Sequence, residues 1–232
     1  MVINLIKTKS VTITTRQKHQ LSPLPLDLVL NGTKIDQVSE HCLLGLTIDN
    51  ELRWDSHTNN VCKTVSRRVF FLSKLRYIVD IDTRKLFFNA YIKPHIDYAP
   101  VEWGGCSDVL KKRLKSLHRS SVKLIFPDTT LTTDQKLKEM RIMSLQKQPE
   151  YNKGLFLYRV LNNEAPEYIS NLYTHTPSRY SSSMNYMPRL RIDIFKTSIS
   201  FSGAYLWNNL PLTIRSCQSL SSFKCKLRAH LK

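Results

Sequence analysis

The feature that most limits what this chain can fold into is a change of hydrophobic period at Asp55. Upstream, β-branched and polar residues alternate, as in Ser10 to Thr15 and in Leu43 to Asp49. Alternation of that kind belongs to strands with one buried face. Leu26 to Leu30 and Thr33 to Ile35 flank Asn31-Gly32, the dipeptide that favours a two-residue type I′ hairpin turn. From Asp55 onward the spacing becomes helical. Val61, Val65, Val69, Leu72 and Leu75 fall on one side, with Lys63, Arg67, Arg68, Lys74 and Arg76 elsewhere. The expected fold class is therefore α+β: a small N-terminal antiparallel patch of three or four strands, followed by a mainly α-helical body.

Further helices are expected downstream. Asp55 or Ser56 caps the first, and Asp82 or Thr83 the second, which runs to a kink or end at Pro94. Ser107 or Asp108 opens a third, whose apolar positions Leu110, Leu114, Leu117, Leu124 and Ile125 recur at helical spacing. Others are placed at about 133–140 and 145–162, then a short helix near Trp207, a break at Pro211, and a last helix from about Ser219. The chain divides into a β segment at 1–53, a helical region at 54–130, and a C-terminal helical region at 131–232 with a polar loop at about 174–189.

Charge narrows the partners. Thirty-five Lys and Arg against 18 Asp and Glu leave +17 over 232 residues. A compact chain carrying that surplus repels itself, and nucleic acid is the polyanion that most often offsets it. The third helix presents Lys111, Lys112, Arg113, Lys115, Arg119 and Lys123 with no acid between residues 109 and 127. Together with Arg67, Arg68, Lys74 and Arg76, these are the candidate phosphate-binding residues. Helical basic faces suit backbone tracking and need no base contacts. A plain solvated helix face is the competing reading.

Catalysis finds little support. Two-metal chemistry needs carboxylates converging within about 4 Å of both ions, and in the close acidic pair Asp80 and Asp82 the second reads more simply as a helix cap. There is no Asp-Asp dipeptide, no Cys-x-x-Cys, and no histidine four residues from another. No metal site, cofactor or catalytic residue is assigned. The five cysteines are an odd number at irregular spacings and read as reduced thiols, mostly buried. With no spanning apolar run and no secretion signal, an intracellular location, nuclear or cytoplasmic, is expected, without membrane contact. Asn31-Gly32-Thr33 is accordingly a turn rather than a glycosylation site.

Four ordered motifs carry a resemblance. "NLIKTKSVTI" at 4–13, "LLGLTIDNELRWDSH" at 43–57, "LFFNAYIKPHIDYAPVEWG" at 86–104 and "FSGAYLWNNLPLTIRSCQSLSSFKCKLRAHL" at 201–231 resemble, in that order, segments of LINE-type (non-LTR, jockey-like) retrotransposon reverse transcriptases. These are the segment after the catalytic aspartates, the palm–thumb junction, the thumb and the tail. The resemblance implies that residues 1–53 correspond to the end of the palm and 54–130 to a thumb-like region. Lys7 matches an accessory palm lysine, and Leu44-Gly45 a turn that grips the primer end. The family's magnesium-holding aspartates have no counterpart here.

The expected function is thus that of a truncated reverse-transcriptase fragment that binds RNA or DNA backbone without polymerising. Two alternatives stand beside it. One is the end of an incompletely described, active RNA-directed DNA polymerase. The other is an interaction module or relic with no present activity.

Overall fold

The computed structural model describes residues 4, 7–15, 18, 27–126, 130–173, 196 and 198–231. The polar loop expected at about 174–189 lies outside them. The body is helical and the strands are few, short and N-terminal, as an α+β chain of this pattern requires.

The strands form three separate two-stranded ladders rather than one patch. β1 (Lys9–Ser10) pairs in parallel with β4 (Asp36–Gln37), which departs from the all-antiparallel expectation. A parallel pair needs a long crossover, and the stretch between Ser10 and Asp36 supplies one. Within it, β2 (Val29–Leu30) and β3 (Thr33–Lys34) make the expected hairpin, with Asn31 at φ 49° and Gly32 at φ 77°. Residues 11–15 extend beyond β1 without laddering, although the Thr14 N–H donates to the Asn50 carbonyl at 3.0 Å.

The segment read as one strand from Leu43 to Asp49 is instead a second hairpin. β5 (Glu40–Leu43) and β6 (Leu46–Asp49) reverse at Leu44 (φ 49°) and Gly45 (φ 81°). Both central residues of a type I′ turn need positive φ, and leucine is a poor choice there. Leu44 is also 84 % exposed, and Ile13, Val29 and Leu43 are exposed too, so the β region keeps an open apolar side.

The helical body begins with α1 (Asp55–Leu75) and α2 (Ile81–Phe87). The cap of α2 is Asp80, not Asp82 or Thr83: its carboxylate accepts the Thr83 N–H at 3.1 Å. Asp80 is extended, as an N-cap must be, whereas Asp82 already lies inside the first turn. A π-helical turn, Phe88–Ile92, links α2 to α3 (Lys93–Asp97). Pro94 explains it. A proline ring collides with the carbonyl four residues back, and widening the turn by one residue avoids that while keeping the chain helical.

After α4 (Pro100–Trp103) comes α5 (Asp108–Ile125), with Ser107 at its N-cap position but no capping bond from the Ser107 side chain. The Ser107 N–H donates to the Asp55 carboxylate at 3.4 Å, so one acidic side chain serves the N-termini of both α1 and α5. Arg113 donates to Asn59 at 3.1 Å, and Arg84 of α2 reaches the Ile125 carbonyl at 3.4 Å. The first two contacts, at Asp55 and then Asn59 of α1 against Ser107 and then Arg113 of α5, advance together along both chains, so α1 and α5 run side by side in the same direction.

Their apolar faces close the first core, which includes Val61, Cys62, Val65, Leu72, Phe88, Ile92, Leu114, Val122 and Ile125. Leu137 of α6 (Thr133–Glu139) completes it.

A second core gathers Leu157 and Tyr158 of α7 (Lys147–Leu161), Ala204 and Trp207 of α9 (Ile199–Asn209), Ile214 of α10 (Leu212–Arg215), and Phe223 and Leu227 of α11 (Leu220–His230). A short α8 (Glu167–Ser170) lies between α7 and the tail. Tyr158 and Phe223 stack at 4.4 Å between ring centres. Of the cysteines, Cys62 and Cys106 are buried, Cys217 is half-buried, and Cys42 and Cys225 are exposed. Thus fewer thiols are buried than the sequence reading held.

Leu114, 1 % exposed, sits in the first core on a helix whose other faces are basic. Leu114→Ala is expected to cost about 3 kcal/mol in urea unfolding, and Lys112→Ala less than about 0.5 kcal/mol.

Candidate nucleic-acid interface

Packing of α1 on α5 sorts the cationic side chains. On α5 the buried positions Leu114, His118, Ser121, Val122 and Ile125 define the inner face. Residues 112, 115, 119 and 123, three or four apart, then form one outer stripe. The two remaining candidates leave it. Lys111 pairs with Asp108 at 3.4 Å, and Arg113 turns toward Asn59 of α1. The basic face expected from residues 111 to 123 is therefore a stripe of Lys112, Lys115, Arg119 and Lys123.

On α1, Arg67 and Lys74 are exposed and two turns apart. Arg68 is half-buried, and its guanidinium donates to the Tyr91 carbonyl, which ties α1 to the π turn. Lys74 lies over the Phe70 ring at 5.4 Å and Arg76 over Tyr77 at 4.4 Å. Cation–π contact holds both against exposed aromatic faces.

The residues matched to the palm–thumb junction organise one another. The Asp49 carboxylate accepts the N–H groups of Glu51 and Arg53, both at 3.0 Å, and of Trp54 at 2.7 Å. Three charge-assisted bonds turn the chain from β6 into α1, with Leu52 and Trp54 both at positive φ. The Thr47 N–H donates to His57 Nδ1 at 3.4 Å. Tyr98, from the loop between α3 and α4, donates its hydroxyl to the Leu44 carbonyl, and its own carbonyl accepts the Trp103 indole N–H at 2.7 Å. A Cβ added to Gly45 would meet the Tyr98 ring at 3.6 Å, so the turn rests against that ring. Lys7 is exposed in a short turn where its N–H bonds the Asn4 carbonyl at 3.2 Å.

A basic cleft that sequence reasoning missed lies where α5, the loop after α6 and the end of α11 meet. Its volume is about 670 Å³. Lys115 and Arg119 open into it, joined by Lys138, Arg141, Lys147 and Arg228. Spacing along the chain does not reveal this grouping, because the residues come from three distant segments.

The buried ring of His118 lies at the cleft floor, edge-on to Phe88 at 5.8 Å. Burial holds its pKa down at about 4, against the opposing pull of Asp97 and with a smaller push from Lys93. Among the described residues no group of three or more His, Cys, Asp and Glu side chains could hold a metal ion. No described helix is long and apolar enough to cross a membrane.

Comparison with protein-family models, with curated proteins and with solved structures found no match for this chain.

Because His118 stays neutral in the fold, the unfolded chain takes up a proton below its ordinary value of 6.5 that the folded chain refuses until about pH 4. Stability is expected to fall as pH drops through that window, by up to about 3 kcal/mol from this group. Urea unfolding at several pH values, for the native chain and for His118→Gln, reads the difference; the variant should lose that part of the slope.

Proposed function

We propose that this protein binds the phosphate backbone of RNA or DNA without regard to sequence, in the manner of the palm-to-thumb part of the LINE-type reverse transcriptases that its motifs resemble, and does not itself extend a primer. The observation that carries this reading is the outer stripe of Lys112, Lys115, Arg119 and Lys123 on a helix whose inner face is locked into the first core. A rigid helix holding cations at regular intervals meets a regular array of phosphates with little ordering cost. Arg67 and Lys74 extend the charge on the neighbouring, parallel helix.

The junction motif has a positioning role in this reading. Asp49, Trp54 and His57 set the direction of α1, and the Leu44–Gly45 turn braced on Tyr98 offers exposed backbone at the edge of the β region. Gly45 lets another backbone approach closely. Chemistry is not assigned to these residues. Phosphoryl transfer draws its charge stabilisation from metals held by carboxylates, and the chain has no Asp-Asp dipeptide.

Fluorescence anisotropy with unrelated duplexes tests the reading. With about five phosphates neutralised, log affinity should fall against log salt with a slope of roughly −4 to −5 for B-form DNA. Replacing Arg67, Lys74, Lys112 and Lys123 by Ala should weaken every duplex alike and flatten the slope. Primer extension in magnesium or manganese should be nil. Affinity indifferent to salt, or unchanged in the quadruple variant, would show the stripe to be a solvated surface.

A further inference from the structure

The basic cleft has features that a duplex-tracking face does not need. It is enclosed on three sides, by α5, by α6 with its following loop, and by the end of α11. Its cations Lys115, Arg119, Lys138, Arg141, Lys147 and Arg228 face a single carboxylate, that of Asp134. Among the described residues Lys115, Arg119, Lys138 and Arg141 form no ion pair. Converging unpaired cations repel one another, so a site of this kind is completed by an anion.

Arg141 adds a second, independent observation. Helix α6 ends in a reversal where the Ile142 N–H donates to the Leu137 carbonyl at 2.9 Å and the Arg141 N–H to the Lys138 carbonyl at 3.0 Å. That pattern places Arg141 at the position ordinarily taken by glycine, and its φ is 54°. The helix after which it comes would end more easily with glycine there. At the equivalent place after α7 stands Asn163, φ 59°, a residue that tolerates the conformation. An arginine held in a disfavoured conformation at the mouth of a cationic cleft points to a role for its charge.

Size and lining define the ligand. A volume of about 670 Å³ is that of a small-ligand pocket, too confined for a duplex. Apart from the neutral His118 ring, no aromatic side chain lines it, so it offers no platform on which bases stack. Both points favour a compact, highly charged group over a run of nucleotides. We propose that the cleft binds linked phosphates: a compact polyphosphate, either free or as the 5′-triphosphate end of a nucleic acid. Lys147 and Arg228 come from helices that build the second core, and Lys115, Arg119, Lys138 and Arg141 come from or border the first. The bound anion therefore ties the two cores together. The site shares Lys115 and Arg119 with the outer stripe, so its test relies on Arg141 and Arg228, which lie outside the stripe, and on Arg67 and Lys112, which lie outside the cleft.

Calorimetric titration of the full chain with sodium tripolyphosphate at low salt tests the proposal. One saturable site is expected, with a rise in melting temperature on binding. Arg141→Gly and Arg228→Gln should each weaken it about fivefold, whereas Arg67→Ala and Lys112→Ala should leave it unchanged. Glycine suits φ 54°, so Arg141→Gly should melt no lower than the native chain, which separates lost binding from lost folding. A 5′-triphosphorylated RNA that outcompetes its 5′-hydroxyl counterpart, and loses that advantage in Arg141→Gly, assigns the site to a strand end. Equal binding of the two RNAs assigns it to free polyphosphate. Absence of saturable tripolyphosphate binding, or an equal loss in Lys112→Ala, would overturn the proposal.

Discussion

The lateral packing of α1 on α5 is the contact on which the rest of the molecule depends. Both helices bury one apolar face in the first core and carry cations on the others, so closing the core also decides which way the charge points. The pairing is parallel, which places two helix N-termini together. The Asp55 carboxylate, close to both, offsets the positive ends that would otherwise repel. A net charge of +17 is tolerable because the cations are spread over separate outer faces instead of being crowded into the core. Among the described residues the exception is Lys136, buried with its ammonium donating to the Phe126 carbonyl at 3.0 Å, where it closes the connection between α5 and α6.

The β region is subordinate to this pair. Its ladders are two to four residues long, and two-stranded ladders of that size are marginal alone in water. Their direction is set where they meet the helices: Asp49 at the end of β6 gathers three N–H groups, His57 receives one from Thr47, and Tyr98 braces the Leu44–Gly45 turn. Residues that resemble a polymerase junction motif thus have an evident mechanical part here, that of fixing a hairpin to the start of a helix.

Much of the helical body was legible in the sequence because its signals are local. Periodicity located α1 and α5, and Ser219 and Pro211 marked the tail helices. Asn31-Gly32 announced its hairpin through its own backbone preference. The misses share a cause in tertiary context. Leu44 is a poor residue for positive φ, and the bond from Tyr98 that braces it comes from a distant segment, so Leu44-Gly45, although matched to a turn, did not reveal that Glu40–Leu43 forms a strand of its own. Asp80 was passed over as a cap because Asp82 and Thr83 are equally good capping residues. The π turn arises from a proline the sequence did flag, although whether such a helix breaks or widens depends on packing on both sides. As for the interface, the cationic residues were evident, but Lys111 and Arg113 find partners that spacing cannot reveal, and the cleft joins residues 115, 141 and 228.

Lysine footprinting by mass spectrometry, with and without a saturating duplex, tests most directly the claim that the α1–α5 pair presents the phosphate-binding face. Lys74, Lys112, Lys115 and Lys123 should be shielded by the duplex, while Lys34 in the β region and Lys224 on α11 react as in the free protein. Shielding spread evenly over all lysines, or confined to Lys138 and Lys147 beside the cleft, would contradict the account.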